Sequence, residues 1–502
     1  MNTNKKKVKG GAEKLRLKRN AELKASASHP NQKKLCFVSK SITSTTSLNL
    51  IVDKVNSSKC FSILADETTD VATKEQLSIS VRYVDNDDIL HEDFLQFFEI
   101  NSLTGSSLAS SILDGLNACG IDCEHLYGQG YDGASNMAGK FNGVQAVIRD
   151  SYPKALYIHC SAHSFNLAVC TSSDIKSVRN CLGIVERLYK YESLNDFVEL
   201  LPFVIKTLEN ISSTWGVPSS VDAEVLLKSA LDSEFLISLY VTKIFFAFGL
   251  PVCKQLQKER IDLKHTINII KTLLQSLKEI RENAEKEFQI LFEKVKNLAD
   301  VIGTEISKKR TAGKQINRAN PQVSSVEEYY RVTVFVPFID NFICQLTSRF
   351  LNHKNVFEGF ECLFSSSFTD EERLAFEKLV EFYIQPVEKD NSFVELKIWK
   401  VKISNGDVNT KTGLEALMNC SKTDFPNIHF LIKIFCTLPV STATPERSFS
   451  TLKRLKSYLR STMNEDRLIG LALMSIHRDI PINVDAIIDE MALTPRKLDF
   501  VL

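Results

Sequence analysis

Nowhere in the 502 residues does an uninterrupted apolar run approach the roughly 18–20 residues that a bilayer-spanning helix needs. The sequence also starts on lysines rather than on the apolar stretch of a secretory signal. No membrane association is therefore expected, and the expected compartment is the cytosol or nucleus. The 12 cysteines form no CxxC pair, and a chain of this length does not depend on disulfide staples. Cys119 and Cys123 stand close together without a second ligand pair nearby, so they read as buried thiols rather than as half of a zinc site. An excess of charge is missing as well. Lys plus Arg number 62 against 61 Asp plus Glu, a net charge of +1.

The distribution of that charge is uneven. Residues 1–34 hold eleven Lys/Arg against Glu13 and Glu22, so the remainder of the chain is slightly acidic. A basic leader over 1–48 is expected to be disordered. Its runs Lys5-Lys6-Lys7-Val8-Lys9 and Lys14-Leu15-Arg16-Leu17-Lys18-Arg19 suit a nuclear-localisation signal, a phosphate-contacting arm or simply a solubilising tail.

From about residue 60 the pattern turns to strands. Cys60 to Ala65 is a short apolar run stopping at Asp66, Gln76 to Val84 alternates, and Asp93 to Ile100 gives a third strand, the three joined by polar turns. A helix over 104–116, a strand from Leu126 to Tyr131 ending in a glycine-rich turn, helix-like residues 136–150, a strand from Ala155 to His159 and a helix from 161 follow. Three meander strands and then alternating helix and strand is the order of an RNase H-like sheet. Between about 176 and 425 the strand signal vanishes, which predicts a long all-α insertion. Within it, Thr266 to Asp300 repeats apolar residues at helical spacing from Ile270 to Leu298. The basic stretch 308–322, with Arg310, Lys314 and Arg318, suits either a DNA-phosphate contact or a solvated loop. Residues 426–479 are strongly amphipathic. Thr462 and Asn464 precede Glu465 and Asp466, a capped helix start that leads into a nearly all-apolar helix through Ile476. Such a helix needs a partner surface.

Two-metal phosphodiester chemistry needs carboxylates from separate elements converging on ions about 3.5–4 Å apart. Asp66 at a strand end, Asp132 in the glycine-flanked turn and Glu446 at the opening of the helix PERSFS are the candidates. Glu67 and Asp70 compete with Asp66 for the first place, and glycines around Asp132 allow close approach of backbone to a phosphate or metal.

Four blocks, CFSILADETTDVATKEQLSISVRYV, GQGYDGASNMAGKFNGVQ, ALYIHCSAHSFNLAV and LPVSTATPERSFSTLKRLKSYLRSTMNEDRLIGLALM, resemble in this order the core of the hAT superfamily of cut-and-paste DNA transposases. The likeness runs over roughly 50–480 and looks closest to relatives named for zinc finger MYM-type proteins. It implies that Asp66, Asp132 and Glu446 are the catalytic, metal-binding triad for Mg²⁺ or Mn²⁺. It implies a structural CxxH element at Cys160 and His163, DNA as partner, a nuclear site of action, and a homodimer or higher oligomer formed through 426–479. The expected fold is an α/β RNase H-like core in two parts, 49–175 and 426–480, interrupted by an insertion over 176–425, with a tail at 481–502. Two family features are not found: the TRW-like block at the start of the insertion, for which Trp215 is no obvious substitute, and a DNA-reading zinc finger ahead of the core. The expectation is a transposase-like protein with impaired strand cleavage. The alternative is a non-enzymatic, host-recruited nuclear protein that acts through dimerisation and binding of DNA or protein.

Overall fold

The computed structural model describes residues 47–188, 194–309, 323–457, 460–480 and 485. The leader ahead of residue 47, the loop carrying Arg310, Lys314 and Arg318, and almost all of the tail lie outside the described residues.

After helix α1 (47–58) the chain forms the meander β1 (Phe61–Thr69), β2 (Glu75–Val84) and β3 (Leu90–Ile100). Aspartates close both hairpins. Asp70 Oδ1 accepts the N–H groups of Ala72 and Lys74, and Asp85 Oδ1 accepts those of Asp87 and Ile89. Helix α2 (Gly105–Cys119) opens on Thr104, whose hydroxyl accepts the Ser107 N–H, and closes on Gly120 at φ 84°. Then come β4 (Leu126–Tyr131), the short α3 (Ser135–Ala138), α4 (Val144–Ser151) and β5 (Leu156–His159). The strand order is β3-β2-β1-β4-β5, with β1 parallel to β4 and β4 parallel to β5. This is the mixed sheet of an RNase H-like core. β1 runs further than the expected Cys60 to Ala65, because its ladder to β2 continues through Asp66↔Ser78 to Thr69↔Glu75. Asp66 is thus inside the strand rather than at its end.

The two faces of the sheet are built differently. Phe61, Ile63 and Ala65 of β1 and Leu77, Ile79, Val81 and Tyr83 of β2 pack with α1, α2 and α4 in one apolar core. The alternate residues of β2, namely Gln76, Ser78, Ser80 and Arg82, are polar and would ordinarily face water. They are equally buried, because α17 (Pro426–Thr437) and α18 (Ala443–Leu455), defined here in chain order after the insertion helices, lie over them. α19 (Glu465–Ile476) adds Leu468, Ala472 and Leu473 to Phe94 and Phe97 of β3. The region from 426 onward is accordingly part of the core, with ten of the twelve α17 residues buried.

Between these halves the described elements are all helical. α5 (Ser161–Ser172) leads in, followed by α6 (Lys176–Leu188), α7 (Leu194–Thr214), α8 (Ser219–Ala230), α9 (Ser233–Leu256), α10 (Leu263–Glu282), α11 (Ala284–Val301), α12 (Val326–Tyr330), α13 (Val336–Phe360), α14 (Asp370–Tyr383), α15 (Lys389–Asn405) and α16 (Gly413–Asn419). The single periodic face read over Thr266 to Asp300 is carried by two helices that break at Asn283. α9 alone among the described helices is long and apolar enough to cross a bilayer. It serves instead as an inner helix of the insertion, with Leu236, Ile237, Leu239, Val241 and Phe245 almost wholly buried against neighbouring helices.

Candidate active site

Strand register brings the first two carboxylates together. Leu64 of β1 lies beside Gly130 of β4 in a parallel ladder. Side chains alternate with period two, so Asp66 and Asp132, each two residues further on, project from the same face of neighbouring strands that run about 4.8 Å apart. Asp132 directly follows the end of β4. The third carboxylate comes from above that face. Glu446 is in the first turn of α18, and two residues later Ser448 Oγ meets Ser78 Oγ of β2 at 2.8 Å. Ser78 is the residue paired with Asp66 across the β1–β2 ladder. Three positions, the first two 66 residues apart and the third 314 further on, thus share one corner of the sheet.

Their electrostatics agree with that placement. Burial pushes the Asp66 carboxyl up to about 7, and the negative charges of Glu446 and then Asp132 push the same way, against the N–H of Glu67. Among the described residues each of the three carboxylates is held by one oxygen only. Asp66 Oδ1 accepts from Glu67 N at 3.0 Å, Asp132 Oδ1 from Ala134 N at 3.1 Å and Glu446 Oε1 from the Thr442 hydroxyl at 2.8 Å. Among the described residues no Lys or Arg pairs with any of them. Glu67 is turned aside to Asn136 Nδ2 at 3.1 Å, and Asp70 is bound in a buried pair with Lys456. The pair with Lys456 sets Asp70 apart, whereas Glu67 keeps a buried Oε2 without a partner among the described residues and is itself pushed up by burial and by the charge of Asp132, as Asp66 is.

Carboxylates that raise one another's charge cost, each with an oxygen unbonded and without a Lys or Arg ion pair among the described residues, are hard donors that suit a divalent cation by donor chemistry. Among the described residues no three His, Cys, Asp or Glu side chains stand as a ready-made ligand cluster. The carboxylates are therefore within electrostatic range of one another without forming a closed coordination set.

Two buried ion pairs fix the helix that carries Glu446. Near its start, Thr444 donates to Glu92 Oε2, and Glu92 Oε1 pairs with Arg82 Nη1, both at 2.5 Å. Arg82 also donates to the carbonyls of Cys436 and Ile261, tying β2 to α17 and to the insertion. At the other end Lys456 pairs with Asp70 at the β1–β2 turn. Nothing in the local sequence around Arg82, Glu92 or Thr444 announced this clamp, since the polar alternation of β2 reads as a face turned to water.

The CxxH residues sit behind the same site. Cys160 Sγ accepts from the N–H groups of His163 and Thr442 at 3.4 and 3.3 Å. The ring of His163 lies tilted beside that of His159, with centroids 5.9 Å apart. His159, unforeseen in the sequence, presses its ring on Gly133, where a Cβ would meet Cε1 and Nε2 at 2.7 Å. The glycines around Asp132 have a different use from the one expected. A Cβ on Gly128 would strike Ser62 Oγ of β1 at 2.3 Å and Pro439 at 2.9 Å, and one on Gly130 would strike Pro439 at 2.5 Å, so these glycines admit the neighbouring strand and the α17–α18 connection. Cys119 and Cys123 are thiols in an apolar setting, and burial raises Cys119 to about 11.

Comparison with known proteins gives the class. Residues 3–143 match the ZMYM1/FAM200 RNase-like domain, and residues 387–480 match the hAT family C-terminal dimerisation region. These two segments are thus similar to domains found in hAT transposase-derived proteins. Among individual relatives it is similar to the human 52 kDa repressor of the inhibitor of the protein kinase, 26% identical over 497 residues, which covers 87% of this chain. The mouse protein of the same name is 26% identical over 496 residues with the same coverage. The chain spans 64% of the length of either relative.

Proposed function

We propose that this chain is a dimerising, DNA-handling hAT transposase-like protein of the nucleus, with an ancestral strand-cleavage and transfer site at Asp66, Asp132 and Glu446. The observation that carries the reading is the same-face placement of Asp66 and Asp132 on adjacent parallel strands, with Glu446 over them and no cationic partner. Mg²⁺ or Mn²⁺ held there would activate a water or a 3′-hydroxyl and offset charge on the leaving oxygen. The chain's own part is to fix one oxygen of each carboxylate. Arg310, Lys314 and Arg318 of the basic loop are assigned to DNA phosphates, and the region 426–479 to self-association. Cleavage is expected to be weak, since the TRW-like block is not found and Trp215, 60% exposed after α7, is no obvious substitute for it.

A second reading is a non-enzymatic protein working through binding. It is favoured by the exposed apolar residues of the α7–α8 hairpin, where Phe203, Trp215, Val217 and Val221 are each more than half exposed. The deciding experiment compares wild type with Asp132→Asn on terminal-repeat DNA in Mn²⁺. Nicking by the wild type alone supports the first reading; equal DNA binding by both without nicking supports the second.

A further inference from the structure

Thr442 occupies the N-cap position of α18, where a threonine normally accepts an N–H from the first turn. Its side chain caps nothing. The hydroxyl instead stands 2.8 Å from Glu446 Oε1 and 3.2 Å from Cys160 Sγ. Cys160 and Thr442 are each 1% exposed, and their sequence positions differ by 282, so this contact joins the two halves of the core.

The direction of the hydrogen bonds follows from the groups available. An ionised carboxylate only accepts, so the single hydroxyl proton of Thr442 goes to Glu446. The thiol proton of Cys160 then has Thr442 Oγ1 as its acceptor. The sulfur meanwhile accepts the backbone N–H groups of His163 and Thr442, which fix its position from both halves. The result is an ordered chain, S–H to O–H to carboxylate, in which each bond polarises the next. It holds Glu446 Oε1 and leaves Oε2 without a donor among the described residues.

We propose that Cys160 and Thr442 are positioning residues, a thiol–hydroxyl relay that sets the rotamer of Glu446 so that Oε2 is presented beside Asp66. The proposal rests on the divalent-cation reading of the carboxylate site. It assigns the cysteine of the CxxH element the task of orienting a metal ligand from behind rather than binding a metal. Outer-shell partners of this kind typically change metal affinity about 10–100-fold when removed.

The test is Mn²⁺ binding to the full chain without DNA, read by the loss of the free-ion paramagnetic resonance signal, with thermal midpoints for every variant. Thr442→Val and Cys160→Ala should each weaken binding about tenfold. Thr442→Ser, which keeps the hydroxyl, should bind close to wild type. The Cys160→Ala/Thr442→Val double variant should be no weaker than Thr442→Val alone, since both act through one network. Asp132→Asn reports on the cation site independently of the relay. If Asp132→Asn loses Mn²⁺ while Thr442→Val and Cys160→Ala bind like wild type, the site stands and the relay is overturned. A Thr442→Ser variant as weak as Thr442→Val would overturn the relay too, because the hydroxyl would then not be the active feature. Unchanged binding by Asp132→Asn would remove both the carboxylate cation site and the positioning role built on it.

Discussion

Replacing Asp66 with Asn should stabilise the metal-free core at alkaline pH, although Asp66 is the proposed centre of the site. The folded chain raises this carboxyl from 3.8 to about 7. Between those values the folded state holds a proton that the unfolded state has released, so stability falls as pH rises through about 7 and is flat beyond it. The rise corresponds to roughly 4 kcal/mol against the ionised form. Water reaches part of the carboxyl, and Asn keeps an acceptor for the Glu67 N–H, so a gain of roughly 2–4 kcal/mol at pH 8 is expected for Asp66→Asn in a chelator. A chain of this size need not unfold in one step. The measurement is therefore native-state hydrogen exchange of the β1 and β4 amides by mass spectrometry, at pH 5 and pH 8. Wild type should lose protection free energy between the two and the variant should not. Adding Mn²⁺ should reverse the order at pH 8, since an ion bound only to the folded wild type stabilises it by mass action. The reasoning fails if the two proteins share one pH profile, or if the variant is the weaker at pH 8 without metal.

Two further outcomes follow from burial. Glu92→Ala strands Arg82 in the core and should cost about 3–5 kcal/mol in denaturant unfolding, whereas Arg281→Ala, which breaks the exposed pair with Asp340, should cost less than about 1 kcal/mol; similar losses from both would show that the β2–α18 clamp is not buried as described. On α19, Leu471 and Met474 stay outside the apolar cluster that covers Leu468 and Leu473, so Leu471→Glu/Met474→Glu should turn an oligomer into a monomer by light scattering at micromolar concentration without lowering the thermal midpoint, and an unchanged mass would move the self-association surface elsewhere.

The strands were legible because each is a short run with period-two patterning and aspartate turns, and β4 matches its expected bounds of Leu126 to Tyr131. The end of β1 was misread for a physical reason. A charged Asp66 normally marks the exit from a core, but here the β2 ladder carries the backbone onward while the side chain meets other carboxylates. Sequence could place Asp132 and Glu446 at element boundaries; it had no means of giving the common face of Asp66 and Asp132, which depends on the parallel register of Leu64 with Gly130.

What stayed hidden is long-range and polar. Alternation of Gln76, Ser78, Ser80 and Arg82 with apolar residues is the pattern of a strand wet on one side, and only a helix arriving some 370 residues later makes those positions interior. That arrival changes what a deletion would mean. Cutting the chain near residue 425 would strip α17 and α18 from the sheet, expose the buried Arg82 and remove Glu446 together with its clamp. Loss of self-association in such a fragment would report a broken core as readily as a missing interface. Substitutions on the outer face of α19 separate the two, because Leu471 and Met474 contribute nothing to the cluster that holds α19 on β3. The region matched to hAT dimerisation is in this chain both interface candidate and core, and a catalytic carboxylate candidate rides on the same stretch. One continuous segment runs from the buried α17 through Glu446 to the half-buried Leu471 and Met474 of α19, so a change made in it to test assembly has to be checked for its effect on the site as well.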